Sequence, residues 1–540
     1  IKKYVNDLKT EFSGYSASRF SKDLMAGLTV TAVALPLALA FGVSCGADAA
    51  AGLISAIIAG FVIAALSGAS FQVSGPTGTM TAILIGIVTK FDIQALFIVG
   101  LLSGFVLLIA SFLKLGKLVS FIPSAVITGF TSGIAVIIAL GQIDNFFGVS
   151  SSGDSAISKL FSYGKLGFTP NMWAVGIALL VIAIMVFYPK KLAKILPSSL
   201  AAIIVCVVIN MIFELPLAIV GEIPRTLFPK NRLDITAINM EQIATFILPA
   251  ISIAALCMIE TLLSGASGSR MKNEKFDADR ELISQGIGNI IIPLFGGVPA
   301  SAVLARTSVG IKSGGQTRLT SIIHSFGLLT SMFLLGSIMS QIPLSALSGV
   351  IMVTAYKMND WDSIKYIFKK RFRASIAQFA MTMLATVAFD LTIAIVIGIT
   401  VSILIFIVRI SNVEVESSEV DYEKLKISDD KQKEKLDSIT VTYITGPIFF
   451  GSVEKIDNEI RNIGEHKILI LSMRGVPMID SGAAQMILER IEDMSQNGIT
   501  VLFCGLQSNA KQMLKRAGVI ELISENNFFW DAQQAIESCI

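Results

Sequence analysis

The sequence predicts an all-α polytopic membrane domain followed by a small α/β domain, and three observations carry that reading. The 540 residues are 53% hydrophobic and only 15% charged, with a mean hydropathy of +0.72. Soluble domains sit near a quarter charged, so this balance belongs in lipid. Charge is divided along the chain: 30 Lys and Arg face 19 Asp and Glu up to Ser411, and 13 face 21 after it. Beyond Arg409 the long apolar runs stop and short strand-like and helix-like patterns alternate.

A helix crosses the bilayer with roughly 20 apolar residues, and non-helical pieces survive at that depth only when buried or lining water. Full spans are expected at 24–44, 51–67, 96–113, 125–141, 173–188 and 200–214, then at 246–264, 283–294, 322–339, 345–356, 376–389 and 392–408. Two further apolar stretches are short and broken. The first, 76–88, is opened by Ser74-Gly75-Pro76-Thr77-Gly78-Thr79; the second, 302–311, by Gly296-Gly297-Val298-Pro299-Ala300-Ser301. That makes about 14 segments, with the broken ones third and tenth, as an internal repeat of seven would place them. Matched Gly/Pro-broken segments are the best pointer in a sequence to a central binding site between repeats.

The loops orient the chain. Lys190, Lys191 and Lys194, the group Arg270, Lys272, Lys275 and Arg280, and the run Lys369, Lys370, Arg371 and Arg373 flank apolar segments, so the positive-inside rule puts them in the cytoplasm. The charged start, 1–23, agrees, and an even number of crossings brings the tail to the same side. The long stretch 148–170 is poor in basic residues and suits the outside. After the membrane part, 24–410, the charged stretch 411–437 reads as a linker. In 438–540, strands are expected at 438–445, 467–472 and 500–504, and helices at 453–463, 481–496 and 508–517.

Glu260 is the leading candidate for chemistry. It lies deep in an apolar span, where a bare carboxylate costs several kcal/mol and is therefore protonated, paired or ion-carrying. Helices beginning at Pro76 and Ala302 would present free N–H groups and the positive end of a dipole, and two such ends aimed at one cavity make an anion cradle. Arg306, one turn inside the second half-helix, either adds a fixed charge to that cradle or pairs with Glu260. Asp144, Glu214 and Asp390 sit near span ends and read as structural or interfacial; His324, at a span start, reads as a packing residue. Five scattered cysteines without CxxC spacing and only two histidines disfavour disulfide, metal and triad chemistry. Ser313-Gly314-Gly315-Gln316-Thr317-Arg318 lacks the ending of a P-loop. No cofactor is called for, and the acidic tail disfavours nucleic acid.

Several stretches resemble the sulfate permease family of anion transporters, relatives of the solute carriers that include prestin. They are Ala26-Gly27-Leu28-Thr29-Val30, Ala34-Leu35-Pro36 through Phe41, Phe71-Gln72-Val73-Ser74-Gly75-Pro76-Thr77-Gly78, Ile259-Glu260-Thr261-Leu262-Leu263-Ser264, and Gly296-Gly297-Val298-Pro299 through Ala305-Arg306-Thr307 to Ser313-Gly314-Gly315. The tail resembles a STAS domain through Phe449-Phe450-Gly451 and Ile479-Asp480-Ser481-Gly482. The resemblance implies a seven-plus-seven inverted repeat split into a mobile core and a gate, a homodimer, and an elevator-like movement. It implies an anion site made by Thr77, Gly78 and Thr79, by Val303, Leu304, Ala305 and Arg306, and by Phe41. A Glu at position 260 is similar to proton-coupled members. Sodium-coupled bicarbonate carriers carry an Asp there with a nearby Thr, where this chain has Ser264, so protons are favoured over sodium. Ala305 replaces a serine of the animal members, which favours main-chain coordination. Ser481 only partly matches the phosphorylatable serine of other STAS domains, so the tail reads as dimer support or regulation.

The expected function is secondary transport of a small anion (sulfate, bicarbonate or a dicarboxylate such as fumarate) across the cell's inner membrane, with both termini cytoplasmic and protons as the coupling ion. An uncoupled channel or exchanger, a sodium-coupled bicarbonate symporter and a nucleobase carrier are the competing readings. A membrane enzyme comes last, since no nucleophile–base pair or cofactor loop lies within the spans.

Overall fold

The computed structural model describes residues 2–116, 123–151, 160–164, 167–189, 191–192, 196–234, 236, 240–389, 391–420, 435–461 and 467–540. Asp390, Lys190, Lys194 and most of the expected linker, 421–434, lie outside them. The chain divides into two compact units, Ile1–Ile399 and Thr400–Ile540.

The first unit is helical. It contains α1 (Lys2–Glu11), α2 (Ala17–Ser44), α3 (Ala49–Leu66), strand β1 (Ser74–Gly75), α4 (Gly78–Lys90), α5 (Ile93–Phe112), α6 (Ser124–Gly141), α7 (Met172–Phe187), α8 (Ser198–Phe213), α9 (Met240–Lys272) and α10 (Ala278–Ile291). Strand β2 (Ser301–Ala302), α11 (Leu304–Lys312), α12 (Leu319–Met339), α13 (Leu344–Met358), α14 (Trp361–Lys369) and α15 (Arg373–Ala388) follow, and α16 (Leu391–Ile410) runs across the boundary between the units. Among the described residues six helices are long and apolar enough to cross a membrane by themselves.

Helix ends fall where local chemistry puts them. Ser16, Asp48, Asp92 and Asp277 cap α2, α3, α5 and α10 by accepting the backbone N–H three residues on, which satisfies one of the orphan donors of the first turn. Pro123, Pro197 and Pro343 stand just before α6, α8 and α13, where a missing N–H costs nothing. Two helices outrun the apolar stretches that announce them: α2 starts at Ala17 and not Leu24, and α9 runs from Met240 to Lys272 and not 246–264. Hydropathy marks the part that lipid touches, whereas helical hydrogen bonding continues into polar turns.

The broken segments begin later than the sequence suggests. The expected helix starts at Pro76 and Ala302 are corrected to Gly78 and Leu304. Ser74 and Gly75 pair antiparallel with Ala302 and Ser301, so the backbone there belongs to a strand pair and each helix can begin only beyond it. Two segments more than 200 residues apart in sequence are thereby joined end to end. A π-turn at Ala59–Ile63 interrupts α3, and Gly60 there packs against Ser325 and His324 of α12.

In the second unit a five-stranded sheet has the order β3 (Glu414–Glu419), β4 (Ile439–Thr445), β5 (Ile468–Gly475), β6 (Thr500–Cys504), β7 (Phe528–Phe529). β3 runs antiparallel to β4, and the remaining neighbours are parallel. Strand β3 falls within the stretch read as a linker. Its side chains are mostly exposed and charged, so it carries no strand-like hydrophobic pattern and is recruited as an edge by β4. Helices α17 (Val453–Arg461), α18 (Ser481–Gln496) and α19 (Ser508–Arg516) follow the expected places. Leu469, Leu471 and Phe503 pack with Ile487 and Ile491, while Ile439, Val441, Ile470 and Leu502 pack with Ala535 and Ile536, so both faces of the sheet are covered. That is why β5 reads as a continuous apolar run.

Candidate functional site

Glu260 sits on α9 opposite the β1–β2 junction. Its two carboxyl oxygens are taken by one hydroxyl from each broken segment: Thr79 Oγ1 donates to Oε1, and Ser301 Oγ donates to Oε2 at 2.5 Å. Thr79 Oγ1 is also 2.7 Å from Thr77 Oγ1. A hydroxyl has one proton to give; with that of Thr79 spent on Glu260, Thr77 donates to Thr79. The Thr77 oxygen in turn accepts the Met80 N–H at 3.3 Å, capping α4. A short chain of hydrogen bonds therefore runs from the half-buried carboxyl group to the start of the first half-helix.

The strand pair is held from behind by polar side chains inside otherwise apolar helices. Thr261 accepts the Ala302 N–H at 3.2 Å, and its carbonyl accepts from Gln72 Nε2 at 2.9 Å. Asn289 clamps Ala300 on both sides, accepting its N–H and donating to its carbonyl, each at 2.8 Å. Gln285 donates to Ser74 Oγ at 2.9 Å and to Glu281 Oε1 at 3.1 Å. Val303 N–H donates to the Val73 carbonyl at 3.0 Å, and Thr307 Oγ1 accepts the Val73 N–H at 3.1 Å. Buried polar groups are satisfied in this way or cost free energy, so these bonds hold the strand pair in register.

Among the described residues Arg306 is the largest fully buried side chain, at 1% exposure. It makes no ion pair with Glu260; its Nη2 donates to the Pro76 carbonyl at 3.2 Å, while Nε and Nη1 find no partner among the described residues. A Cβ on Gly75 would collide with Nη1, so the guanidinium lies directly under the first broken segment. Of the two roles open to Arg306 in the sequence, pairing with Glu260 is the one the geometry removes.

The other expected site residues are placed as follows. Phe41 is buried against Gly78, where a Cβ would meet its ring at 3.0 Å and Ile138 at 2.9 Å. Thr77, Gly78 and Thr79 are buried, whereas Val303 is partly open and Leu304 and Ala305 are exposed. Ser264 lies one turn beyond Glu260 but turns to Thr307, donating to its Oγ1 at 3.4 Å, and is not joined to the carboxyl group. Sequence reasoning passed over Ser301, Thr261, Gln285, Asn289 and Glu281. Gln285 and Asn289, four apart on one helix face in an apolar run, were the available signal. Glu281 is fully buried and accepts from Ser67 Oγ at 2.5 Å and the Gly68 N–H at 2.9 Å, closing the end of α3. His324 is fully buried with Nδ1 3.4 Å from Thr31 Oγ1, and Asp144 accepts from Tyr163 and Ser151 at 2.7 and 2.6 Å. Burial and that bond push the Tyr163 phenol up to about 12.

The sequence profile of the sulfate permease family matches residues 20–377, and that of the STAS domain matches 430–535. The chain belongs to the sulfate permease family. "Putative sulfate transporter YvdB" of Bacillus subtilis is 31% identical to this permease over 533 residues, covering 96% of this chain and 97% of its own. "Bicarbonate transporter BicA" of a Picosynechococcus species is 28% identical over 538 residues, covering 96% and 94%. Among solved structures, the transmembrane domain of a cyanobacterial bicarbonate transporter BicA superposes with a TM-score of 0.64 at 28% identity, over 71% of this chain and 97% of that one. The inward-facing murine Slc26a9 anion transporter superposes at 0.85 and 16% identity, over 100% and 95%, a likeness of fold alone. The permease is thus a multi-pass membrane transporter of anions carrying a C-terminal STAS domain, and not an enzyme.

Proposed function

We propose that this permease is a proton-coupled symporter of a small anion such as sulfate, bicarbonate or a dicarboxylate, with the anion held between the starts of α4 and α11. One observation supports the reading above others: the half-buried Glu260 carboxyl group is held by hydroxyls from both broken segments, Thr79 backed by Thr77 on one side and Ser301 on the other, and among the described residues no cation is paired to it. A carboxyl group so placed exchanges a proton at low cost, because hydroxyls accept as readily as they donate. When Glu260 gains a proton it becomes a donor, and the chain through Thr79 and Thr77 reverses direction. The start of α4 then offers a different hydrogen-bonding face, which links proton binding to anion binding. The α11 start, uncapped by any side chain, supplies N–H groups from Leu304 and Ala305, and Arg306 supplies positive charge from beneath.

The β1–β2 junction with its supporting helices would move as the core of an elevator-like carrier working as a homodimer in the inner membrane, with both termini in the cytoplasm. The fold shared with an inward-facing transporter supports the movement alone; the dimer rests on the family resemblance and the orientation on the basic loops. A second reading, sodium-coupled bicarbonate uptake, draws on the 28% identity to a bicarbonate transporter and on the cluster of hydroxyl oxygens beside Glu260. Uptake of labelled sulfate, bicarbonate and fumarate into proteoliposomes, with and without an inward proton gradient, tests both. Gradient-dependent accumulation of one anion, lost in Glu260→Gln, is expected. Accumulation driven by sodium at constant pH would replace protons by sodium, and uptake indifferent to both gradients would leave an exchanger or channel.

A further inference from the structure

The turn between α13 and α15 carries an amphipathic helix, α14, with no fully buried residue: Ile364 and Ile367 are half-buried and the Phe368 ring meets Phe379 of α15 edge-on at 5.8 Å, while most of the rest is exposed. At 3.6 residues per turn Trp361, Ile364, Ile367 and Phe368 fall on one face, and Asp362, Lys365 and Lys369 on the other. Asp360 caps its start by accepting the Ser363 N–H at 3.1 Å, and Arg371, in the left-handed region at φ 54°, ends it in a tight turn. The helix is thus locally specified although it buries little of its apolar face.

Its surroundings are aromatic and basic. Tyr356, Trp361, Tyr366, Phe368 and Phe372 are all exposed, a density that lies poorly in water. Tyr356 and Trp361 lie 5.0 Å apart, and Trp361 Nε1 donates to the Tyr356 carbonyl at 3.0 Å, so the ring is fixed. Lys357, Lys365, Lys369, Lys370, Arg371 and Arg373 face only Asp360 and Asp362 as counter-charges within 356–373. None of the six cations forms an ion pair among the described residues. By contrast, three basic residues around the α9–α10 and α11–α12 turns are engaged: Lys272 with Glu274, Arg280 with Asp7 and Arg318 with Glu11.

We propose that residues 356–373 are a binding surface for anionic phospholipid headgroups in the leaflet facing the cytoplasm. The helix is tethered at both ends to apolar helices, which keeps it at the membrane boundary. Aromatic rings prefer that depth, and a polybasic segment there is drawn to a negative leaflet. Charge complementarity selects anionic lipid over a zwitterionic one, and the rings select a bilayer over a soluble anion.

The chain has three tryptophans, so Trp173→Phe with Trp530→Phe leaves Trp361 as the sole reporter in the full-length protein. That protein is reconstituted in phosphatidylcholine vesicles containing an equal share of acyl-brominated phosphatidylglycerol or acyl-brominated phosphatidylcholine, and tryptophan quenching is compared. Quenching by the glycerol lipid is expected to be about twofold stronger, and high salt should erase the difference by screening. Replacing Lys365, Lys369, Lys370 and Arg373 by Gln should erase it at low salt. The salt arm stands even if that variant folds poorly. Equal quenching by both lipids at low salt would overturn the preference for negative headgroups. No quenching by either would overturn the bilayer contact and place α14 in water or against a second copy of the chain.

Discussion

At the start of α4, Thr77 caps the helix with its own side chain and the neighbouring residues Gly78 to Met80 are buried; at the start of α11, Val303 offers no cap and Leu304 and Ala305 are open. The two broken segments face each other through one strand pair, yet they differ in what they leave unspent. The first has used a donor on Thr77 and carries two hydroxyls that lead to Glu260. The second keeps its first-turn N–H groups and is backed by the buried Arg306. Symmetry of backbone has been combined with asymmetry of chemistry: under the proposed function one side would sense the carboxyl group, and the other would supply positive potential for an anion.

The sharpest way to break this comparison is at Arg306. Arg306→Ala removes the charge behind the open helix start and its bond to Pro76, an interaction class of roughly 1.5–3 kcal/mol. Anion affinity, measured by titration calorimetry or by KM of uptake, should fall roughly ten- to a hundredfold; a change under twofold would assign the positive potential to the helix dipole alone. Next comes Gly78. A methyl group there meets Phe41 and Ile138, and overpacking costs about 1–3 kcal/mol, so Gly78→Ala should lower anion affinity or Tm markedly, whereas Ala305→Gly at the open start should do little. Equal effects at the two positions would mean that the two starts are packed alike.

A smaller effect is expected from exchanging the caps. Thr77→Val removes a cap worth about 1 kcal/mol and should lower Tm by a few degrees. Val303→Ser should add one, raising Tm while weakening anion binding, because the new hydroxyl competes for the same N–H groups. If Val303→Ser left binding unchanged, those groups would not be the anion's ligands. The smallest change is expected from Ser264→Ala, which loses one long hydrogen bond to Thr307, below about 1 kcal/mol. Uptake and its response to sodium should be nearly those of the native chain.

Much of this was legible in the chain as written. A helical membrane part with two broken segments was readable from hydropathy and from Gly-Pro punctuation, because lipid leaves a segment few ways to satisfy its backbone. Glu260 stood out because a carboxylate in an apolar run is expensive. The α/β tail was readable from alternating patterns, except β3, whose exposed polar residues show no alternation at all.

Partnership was what the chain could not declare. Ser74 and Gly75 meet Ala302 and Ser301 only in three dimensions, and that pairing moved both helix starts by two residues. Ser301 looked like a turn residue until it reached Glu260, and Ser264 looked like its companion until it turned to Thr307. Composition and periodicity are set by the solvent each residue must face, water or lipid, and so are written locally. Which hydroxyl meets which carboxyl group is set by packing between segments distant in sequence, and only the tertiary structure decided it.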